Sequence, residues 1–131
     1  MVWGADEAIE RVQDDVRRAQ QRAERYPALQ SAIDGVRGRA VSIRRDLSVE
    51  VDAAGVLKDL QIGDTALDRG GDRLSAEIFE LIGKATKQAR AEVMNATTEI
   101  MGEDDPIVKT IAADLEARNA GDDLGRSGDP R

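Results

Sequence analysis

The spacing of apolar residues changes along the chain and separates helical segments from extended ones. In the first segment, apolar residues recur at alternating intervals of three and four, as in the a/d seam of a heptad helix. The pattern predicts a helix over residues 4–26. Pro27 should end or kink it, because proline lacks an amide hydrogen and disfavours helix at the preceding residue. Leu29, Ile33 and Val36 allow one or two further turns, up to Gly35. The seam positions are Val2, Ala5, Ile9, Val12, Val16, Ala19, Ala23 and Tyr26.

The middle of the chain alternates with a period of two, which is typical of strands that bury one face. In "LSVEVDAAGVLKDLQIGD" the apolar residues Leu47, Val49 and Val51 are separated by polar ones. We predict three strands, at about residues 36–44, 47–53 and 56–62. "RRDL" and "DAAG" supply the turns, with Gly55 free to adopt a positive φ. The strands should form an antiparallel meander, since no connection is long enough for a parallel crossover.

The last third of the chain returns to helical spacing. "GDTALDRGGDR" is predicted to be a loop, followed by a long helix that Asp72 caps and that runs to Met101, where Gly102 closes it. A short helix should follow from Pro106 to about Asn119. The predicted fold class is therefore α+β: a long helix, a three-stranded antiparallel meander, a long helix, then a short C-terminal helix and a disordered tail. We divide the chain into a body (1–102), an acidic helical appendix (103–120) and a disordered tail (121–131).

Composition narrows the range of functions. The chain has 131 residues without Cys or His, which removes thiolate chemistry, the usual general base and the commonest neutral metal ligand. It lacks the roughly 20 apolar residues in a row that a membrane span needs, and its start does not resemble a signal peptide. We therefore expect no enzymatic activity, catalytic residues, cofactor, metal site, small-molecule substrate or membrane association, and a cytoplasmic location. The chain has only one Trp, one Tyr and one Phe, so few large side chains are available for its hydrophobic core. Small domains that bury little surface are often stabilised by self-association, and we therefore expect an oligomer.

Charge is unevenly distributed along the chain. The net charge is −7, yet residues 11–45 contain nine Arg and four acidic residues, a local balance of +5. From residue 91 onward, four basic residues face ten acidic ones, a balance of −6. This division suggests the hypothesis that the acidic end competes with external anions for the arginines.

The order of elements resembles a known family. "LSVEVDAAGVLKDLQIGDTAL" followed by "DRLSAEIFELIGKATKQARAEV" is similar to the YbaB/EbfC nucleoid-associated proteins, over about residues 7–102. The Arg-rich first helix is similar to versions found in actinobacteria. The resemblance implies a homodimer with protruding helices that look like tweezers, double-stranded DNA as a partner and a place in the nucleoid. The segment after Gly102 has no counterpart in the family.

The candidate DNA contacts are arginines. Arg11, Arg18, Arg22 and Arg25 fall on one helical stripe at spacings of 7, 4 and 3, and a guanidinium can bind a phosphate through two hydrogen bonds. The alternative is a solvated helix flank with i,i+4 pairs, Glu7 to Arg11 and Asp14 to Arg18. The stronger candidates lack such a partner; they are Arg17, Arg22 and Arg25. The full predicted set is Arg17, Arg18, Arg22, Arg25, Arg44 and Arg45.

Two functions remain open at this stage. The first is a homodimer that binds double-stranded DNA through backbone phosphates with little sequence specificity, because no helix-turn-helix, zinc finger or set of stacking aromatic residues is present. The predicted dimer contacts are Ile9, Val12, Val16, Ala19 and Ala23. The alternative is a protein-interaction module, such as a secretion-associated adaptor, that uses the heptad helix or a sheet edge to bind another chain.

Overall fold

The order of the secondary-structure elements confirms the predicted α+β class. The structure of the protein is a computed structural model that describes residues 2–127, with side chains described for residues 4–121. The elements are α1 (Val2–Asp34), β1 (Arg37–Val41), β2 (Leu47–Asp52), β3 (Leu57–Ile62), α2 (Asp64–Leu67), α3 (Gly71–Met101) and α4 (Pro106–Ser127).

Helix α1 continues through Pro27 to Asp34, so Pro27 does not end it, and the further turns predicted up to Gly35 are confirmed. A proline inside a helix costs about 3 kcal/mol through the lost hydrogen bond and the steric clash. The residues beyond it offset this cost: Leu29 is buried in a cluster with Met101 and Val108, and Ile33 packs against the same cluster. Burying one leucine side chain stabilises by about 1.5–3 kcal/mol, and the partly buried Ile33 adds a smaller contribution.

The three strands form the predicted meander. The sheet order is β1-β2-β3 with both pairs antiparallel. Central strand β2 alternates as predicted, with Leu47, Val49 and Val51 buried. The turn between β2 and β3 has Gly55 at φ 84°, which confirms the positive φ expected there. Strand β1 ends at Val41, earlier than predicted, because the next residue, Ser42, accepts turn hydrogen bonds from the Asp46 and Leu47 amides.

Helix α3 packs across one face of β1 and β2. Its Ala85 and Ala89 are fully buried against the sheet, where their small side chains let the helix backbone approach closely. Every residue of β3 is exposed, including the apolar Leu60 and Ile62. The core therefore lies under two strands, and the third strand leaves apolar surface uncovered.

The ends of the later helices differ in part from the prediction. Helix α3 begins at Gly71 and its N-cap is Gly70, so the prediction that Asp72 caps the helix is wrong. Asp72 lies in the first turn, where its negative charge is stabilised by the positive end of the helix dipole. Gly102 closes the helix at φ 94°, as predicted. The predicted loop contains the short helix α2. Helix α4 runs past the predicted end at Asn119, to Ser127; residues 128–131 of the predicted tail lie outside the described residues.

Helix α4 folds back along α3. Near its start, Val108 joins the cluster formed by Leu29 and Met101. Further along, the side chain of Arg90 on α3 donates a 2.8 Å hydrogen bond from Nη1 to Oδ1 of Asn119 on α4. The second half of α1, the second half of α3 and α4 therefore form a small three-helix arrangement. None of the helices within residues 2–127 is long and apolar enough to cross a membrane.

Candidate nucleic-acid interface

The first half of α1 projects from the body. Every residue from Gly4 to Gln21 is exposed, whereas Arg22 and Leu29 contact α3, α4 or the loop between them. We call residues 4–21 the arm. At a rise of 1.5 Å per residue, its 18 residues span about 27 Å.

Three exposed arginines lie along the arm. Arg17 is 3.6 Å from Asp14, and both side chains are more than half exposed, so the pair is weak. The i,i+4 pairs expected for Arg11 and Arg18 are not found within the described residues, because Asp14 lies closer to Arg17 and no carboxylate there reaches Arg11 or Arg18. The two pairs of the alternative are therefore not formed, and the binding of Arg11 and Arg18 to phosphate stays a prediction.

Arg22 lies in the stripe but is bound to another part of the chain. Its Nε and Nη2 donate to Oδ2 and Oδ1 of Asp105, at 2.8 and 3.0 Å. The Asp105 side chain is only 6% exposed, and the Arg22 guanidinium also lies 5.5 Å from the Tyr26 ring centre. The hydrogen bond from Arg22 is the main cause that lowers the pKa of Asp105, followed by the bond from the Ile107 amide. The two residues are 83 positions apart, so no local pattern could have predicted this pair.

Arg25 points towards the same junction. Its Nη1 donates a 3.4 Å hydrogen bond to the carbonyl oxygen of Met101, in the last turn of α3. A cation is favourable there because the last carbonyls of a helix carry partial negative charge. Two of the three strongest sequence candidates, Arg22 and Arg25, therefore make intramolecular contacts, and their part in DNA binding stays a prediction.

The acidic run before α4 caps that helix. Asp105 Oδ1 accepts a 2.9 Å hydrogen bond from the Ile107 amide, as an N-cap carboxylate does. Within the described residues, no group of three or more acidic side chains is placed to hold a metal ion.

The other predicted DNA contacts, Arg44 and Arg45, lie exposed in the turn between β1 and β2. Arg45 has φ 61°, and the residue after it, Asp46, holds the turn in place. Asp46 accepts hydrogen bonds from Ser42 Oγ at 2.9 Å and from Arg69 Nη2 at 2.8 Å. The bond from the nearly buried Arg69 is the main reason why the pKa of Asp46 falls to about 2, so this carboxylate stays charged at neutral pH.

Arg44 shares a cleft with basic residues that the sequence pattern did not connect to it. The cleft has a volume of about 320 Å³, and Arg73 and Lys84 of α3 line it together with Arg44. Glu77 and Glu80 line the same cleft, and they lie 3.9 Å from Arg73 and 3.5 Å from Lys84. The cleft is therefore of mixed charge. The arm also carries acidic residues, five beside its three arginines, but Arg11 and Arg18 there have no acidic partner within the described residues.

The predicted dimer contacts lie on the arm and just beyond it. Ile9, Val12 and Val16 are each at least half exposed, and Ala19 and Ala23 are also exposed. The same heptad spacing continues into Leu29, Ile33 and Val36, which are buried or half-buried within the chain. One apolar stripe thus runs along α1, and only its second half has a partner in the described structure.

The comparisons with known proteins agree with the fold. The model of the YbaB/EbfC DNA-binding family matches residues 7–104, about three-quarters of the chain. No curated protein and no solved structure matched in the same comparisons. The match includes the arginines of the arm, the sheet and α3, and it stops before α4 begins. The chain therefore belongs to the YbaB/EbfC DNA-binding family.

Proposed function

We propose that the protein binds double-stranded DNA as a homodimer, mainly through backbone phosphates and with little sequence preference. The observation that carries the proposal is the exposed arm with Arg11, Arg17 and Arg18, in a member of a DNA-binding family. Guanidinium groups bind phosphate oxygens through charge-assisted hydrogen bonds, often two at a time. An arm of about 27 Å is as long as roughly eight base pairs of duplex at 3.4 Å each.

Phosphate contact fits the chemistry of the arm better than base recognition. Between Gly4 and Gln21 there is no aromatic side chain to stack on a base. Sequence-specific recognition needs side chains that are fixed against base edges in a groove, whereas the arginines of the arm are exposed and weakly held. The arm itself carries five acidic residues, and the whole chain has a net charge of −7. Both oppose binding, so affinity should depend on the local arrangement of the exposed arginines and on salt.

The exposed apolar stripe of the arm supports the homodimeric part of the proposal. The exposed half of the apolar stripe has the a/d spacing with which two helices pair. Pairing two arms would cover Ile9, Val12 and Val16, and it would place two sets of arginines on one ligand. Binding through two linked sets strengthens the overall affinity without any new contact.

The salt dependence of binding tests the proposal. If the dimer contacts about six phosphates, log Kobs should fall with log salt at a slope near −5, which is a loss of about a thousandfold between 50 and 200 mM. Fluorescence anisotropy with two short duplexes of unrelated sequence measures the slope and the sequence preference together. Absence of binding at 50 mM salt, or binding to only one of the duplexes, would contradict the proposal.

Changing Val12 to Asp is expected to convert the dimer to a monomer. Val12 is 60% exposed in the single chain, and in a paired seam its side chain would face the partner helix. A buried, unpaired carboxylate there would disfavour association. Light scattering after gel filtration should show twice 14.2 kDa for the parent and 14.2 kDa for Val12→Asp. Gln21→Asp adds the same charge to the side of α1 opposite the seam, and it should leave the mass unchanged; an unchanged mass for Val12→Asp as well would contradict the assignment.

A protein-interaction module is the second candidate function. The specific observation in its favour is that β3 exposes Leu57, Leu60 and Ile62 in addition to the exposed seam. Exposed apolar surface of this kind often marks a protein-interaction site. A module of this kind would be monomeric by itself and would not bind DNA at 50 mM salt, so the two experiments above distinguish it from the first candidate.

A further inference from the structure

We propose that the appendix, residues 103–120, is an intramolecular inhibitor of DNA binding. It docks at the base of the arm and holds Arg22 away from phosphate. This inference rests on the proposed function, because it concerns the regulation of the same arginine surface. The sequence suggests such competition through charge alone, and the structure adds the contacts that perform it.

Asp105 occupies Arg22 in the way that a phosphate would. The two carboxylate oxygens accept from Nε and Nη2 of the guanidinium, at 2.8 and 3.0 Å. A phosphate binds arginine with the same two-bond geometry. Asp105 and a DNA phosphate therefore cannot bind these two nitrogen atoms at the same time. Since the Asp105 side chain is only 6% exposed, salt screens this pair less than it screens a surface contact.

Apolar packing keeps the inhibitor in place. Val108 is buried with Leu29 of α1 and Met101 of α3, and Ile107 packs against the same cluster. At the other end of the appendix, Asn119 accepts the hydrogen bond from Arg90. Docking is therefore a property of the whole helix, and the Arg22 pair is its polar contact with the arm.

Docking also changes the charge around the base of the arm. The appendix contains five acidic and two basic residues. Arg25 lies at the same junction, where it donates to the Met101 carbonyl oxygen. With the appendix docked, Arg22 is bound to Asp105. With the appendix released, Arg22 joins Arg11 and Arg18 in one stripe of cations.

Nearly all of the appendix lies outside the segment that the family model matches. The family model ends at residue 104, so the appendix residues that make the docking contacts, Asp105, Val108 and Asn119, lie outside the matched segment. A helix added in this way can adjust binding without altering the sheet. By linkage, an appendix that weakens DNA binding must itself be displaced by DNA to the same extent.

The first test is Asp105→Asn in the full chain. Asparagine keeps an oxygen that can cap α4 at Ile107 but loses the charge that holds Arg22. We expect DNA affinity at 100 mM salt to rise roughly 5- to 20-fold, in the range of typical couplings between sites. Asp114→Asn is the matched control, because it removes one negative charge from α4 at an exposed position that pairs with Arg118. The control should change the affinity less than about twofold.

The Val108→Asp variant tests whether release of the appendix or the change in net charge governs the DNA affinity. It adds a negative charge, so net charge alone predicts weaker binding, whereas release of the appendix predicts tighter binding. Hydrogen exchange of the amides of residues 106–121 gives a readout that does not depend on affinity. Exchange should accelerate in Val108→Asp without DNA, and in the parent when DNA is added.

The outcomes distinguish the inhibitor from the proposed function. If the parent binds DNA and both Asp105→Asn and Val108→Asp bind equally well, the inhibitor is wrong and DNA binding stands. If Asp105→Asn and Asp114→Asn raise the affinity equally, net charge explains the gain and the inhibitor is again wrong. If no variant binds DNA at 50 mM salt, the proposed function fails and the inhibitor fails with it.

Discussion

A Gly38→Ala variant is expected to lose about 10 °C or more of its thermal unfolding midpoint. Gly38 lies in β1 directly beneath α3. A Cβ at this position would overlap the carbonyl oxygen of Ala85, and it would lie 2.9 Å from the carbonyl carbon of that residue and 3.0 Å from Cβ of Ala89. Both partners belong to the helix rather than to the end of a flexible side chain, so the clash cannot be relieved by a rotamer change.

Relief of the clash would require α3 to move away from the sheet. Ala85 and Ala89 are both 0% exposed, and they pack in the cluster that includes Val49 and Val51. Overpacking of this kind costs typically 1–3 kcal/mol and occasionally more. A domain of this size has only about 5–15 kcal/mol of stability in total. A loss of 3 kcal/mol corresponds to roughly 10 °C or more in the unfolding midpoint.

A second glycine provides the control for Gly38. An added Cβ at Gly71, in the first turn of α3, meets nothing within 4 Å. Gly71→Ala should leave stability unchanged or raise it slightly, because alanine restricts the unfolded chain and favours helix. Circular dichroism during thermal unfolding compares the two variants with the parent. A midpoint for Gly38→Ala within about 2 °C of the parent would contradict the close packing of α3 on β1.

Local sequence signals predicted most of the elements. The period-two run from Leu47 placed β2 and its buried face, because alternation directly reflects which side chains face the core. Gly55 and Gly102 marked the turn and the end of α3, since both positions have a positive φ that glycine adopts without strain. These features depend on residues that are neighbours in the chain.

The features that the sequence did not predict depend on residues far apart in the chain. The apolar spacing indicated further turns after Pro27, but the packing that stabilises them, Leu29 against Met101 and Val108, is not visible in any local pattern. The packing of α4 against α1 and α3 also brings Asp105 next to Arg22. The i,i+4 spacing predicted that Arg18 would pair with Asp14 and that Arg22 would have no acidic partner. In the structure Arg22 binds Asp105, 83 positions away, and Arg18 has no acidic partner within the described residues.

Changing Arg11, Arg17 and Arg18 together to Glu is expected to weaken DNA binding more than about a hundredfold at 50 mM salt. Each substitution removes a phosphate contact and adds a repulsive charge, and a homodimer carries all three changes twice. The fold should be preserved, because the three side chains are exposed on the arm and make no contact with the core. Glutamate also has nearly the helix propensity of arginine. Anisotropy measures the affinity, and circular dichroism and light scattering check the helix content and the dimer mass.

A variant with the same total charge decides whether the arm or the net charge governs binding. Changing Lys58, Lys109 and Arg118 to Glu also alters each chain by −6, but at exposed positions on β3 and α4. If the arm provides the phosphate contacts, this control should lose much less affinity than the arm variant, because charges beyond about 10 Å are largely screened at 0.1 M salt. An equal loss in both variants would mean that DNA responds to the overall charge of the protein, and the assignment of binding to the arm would be wrong.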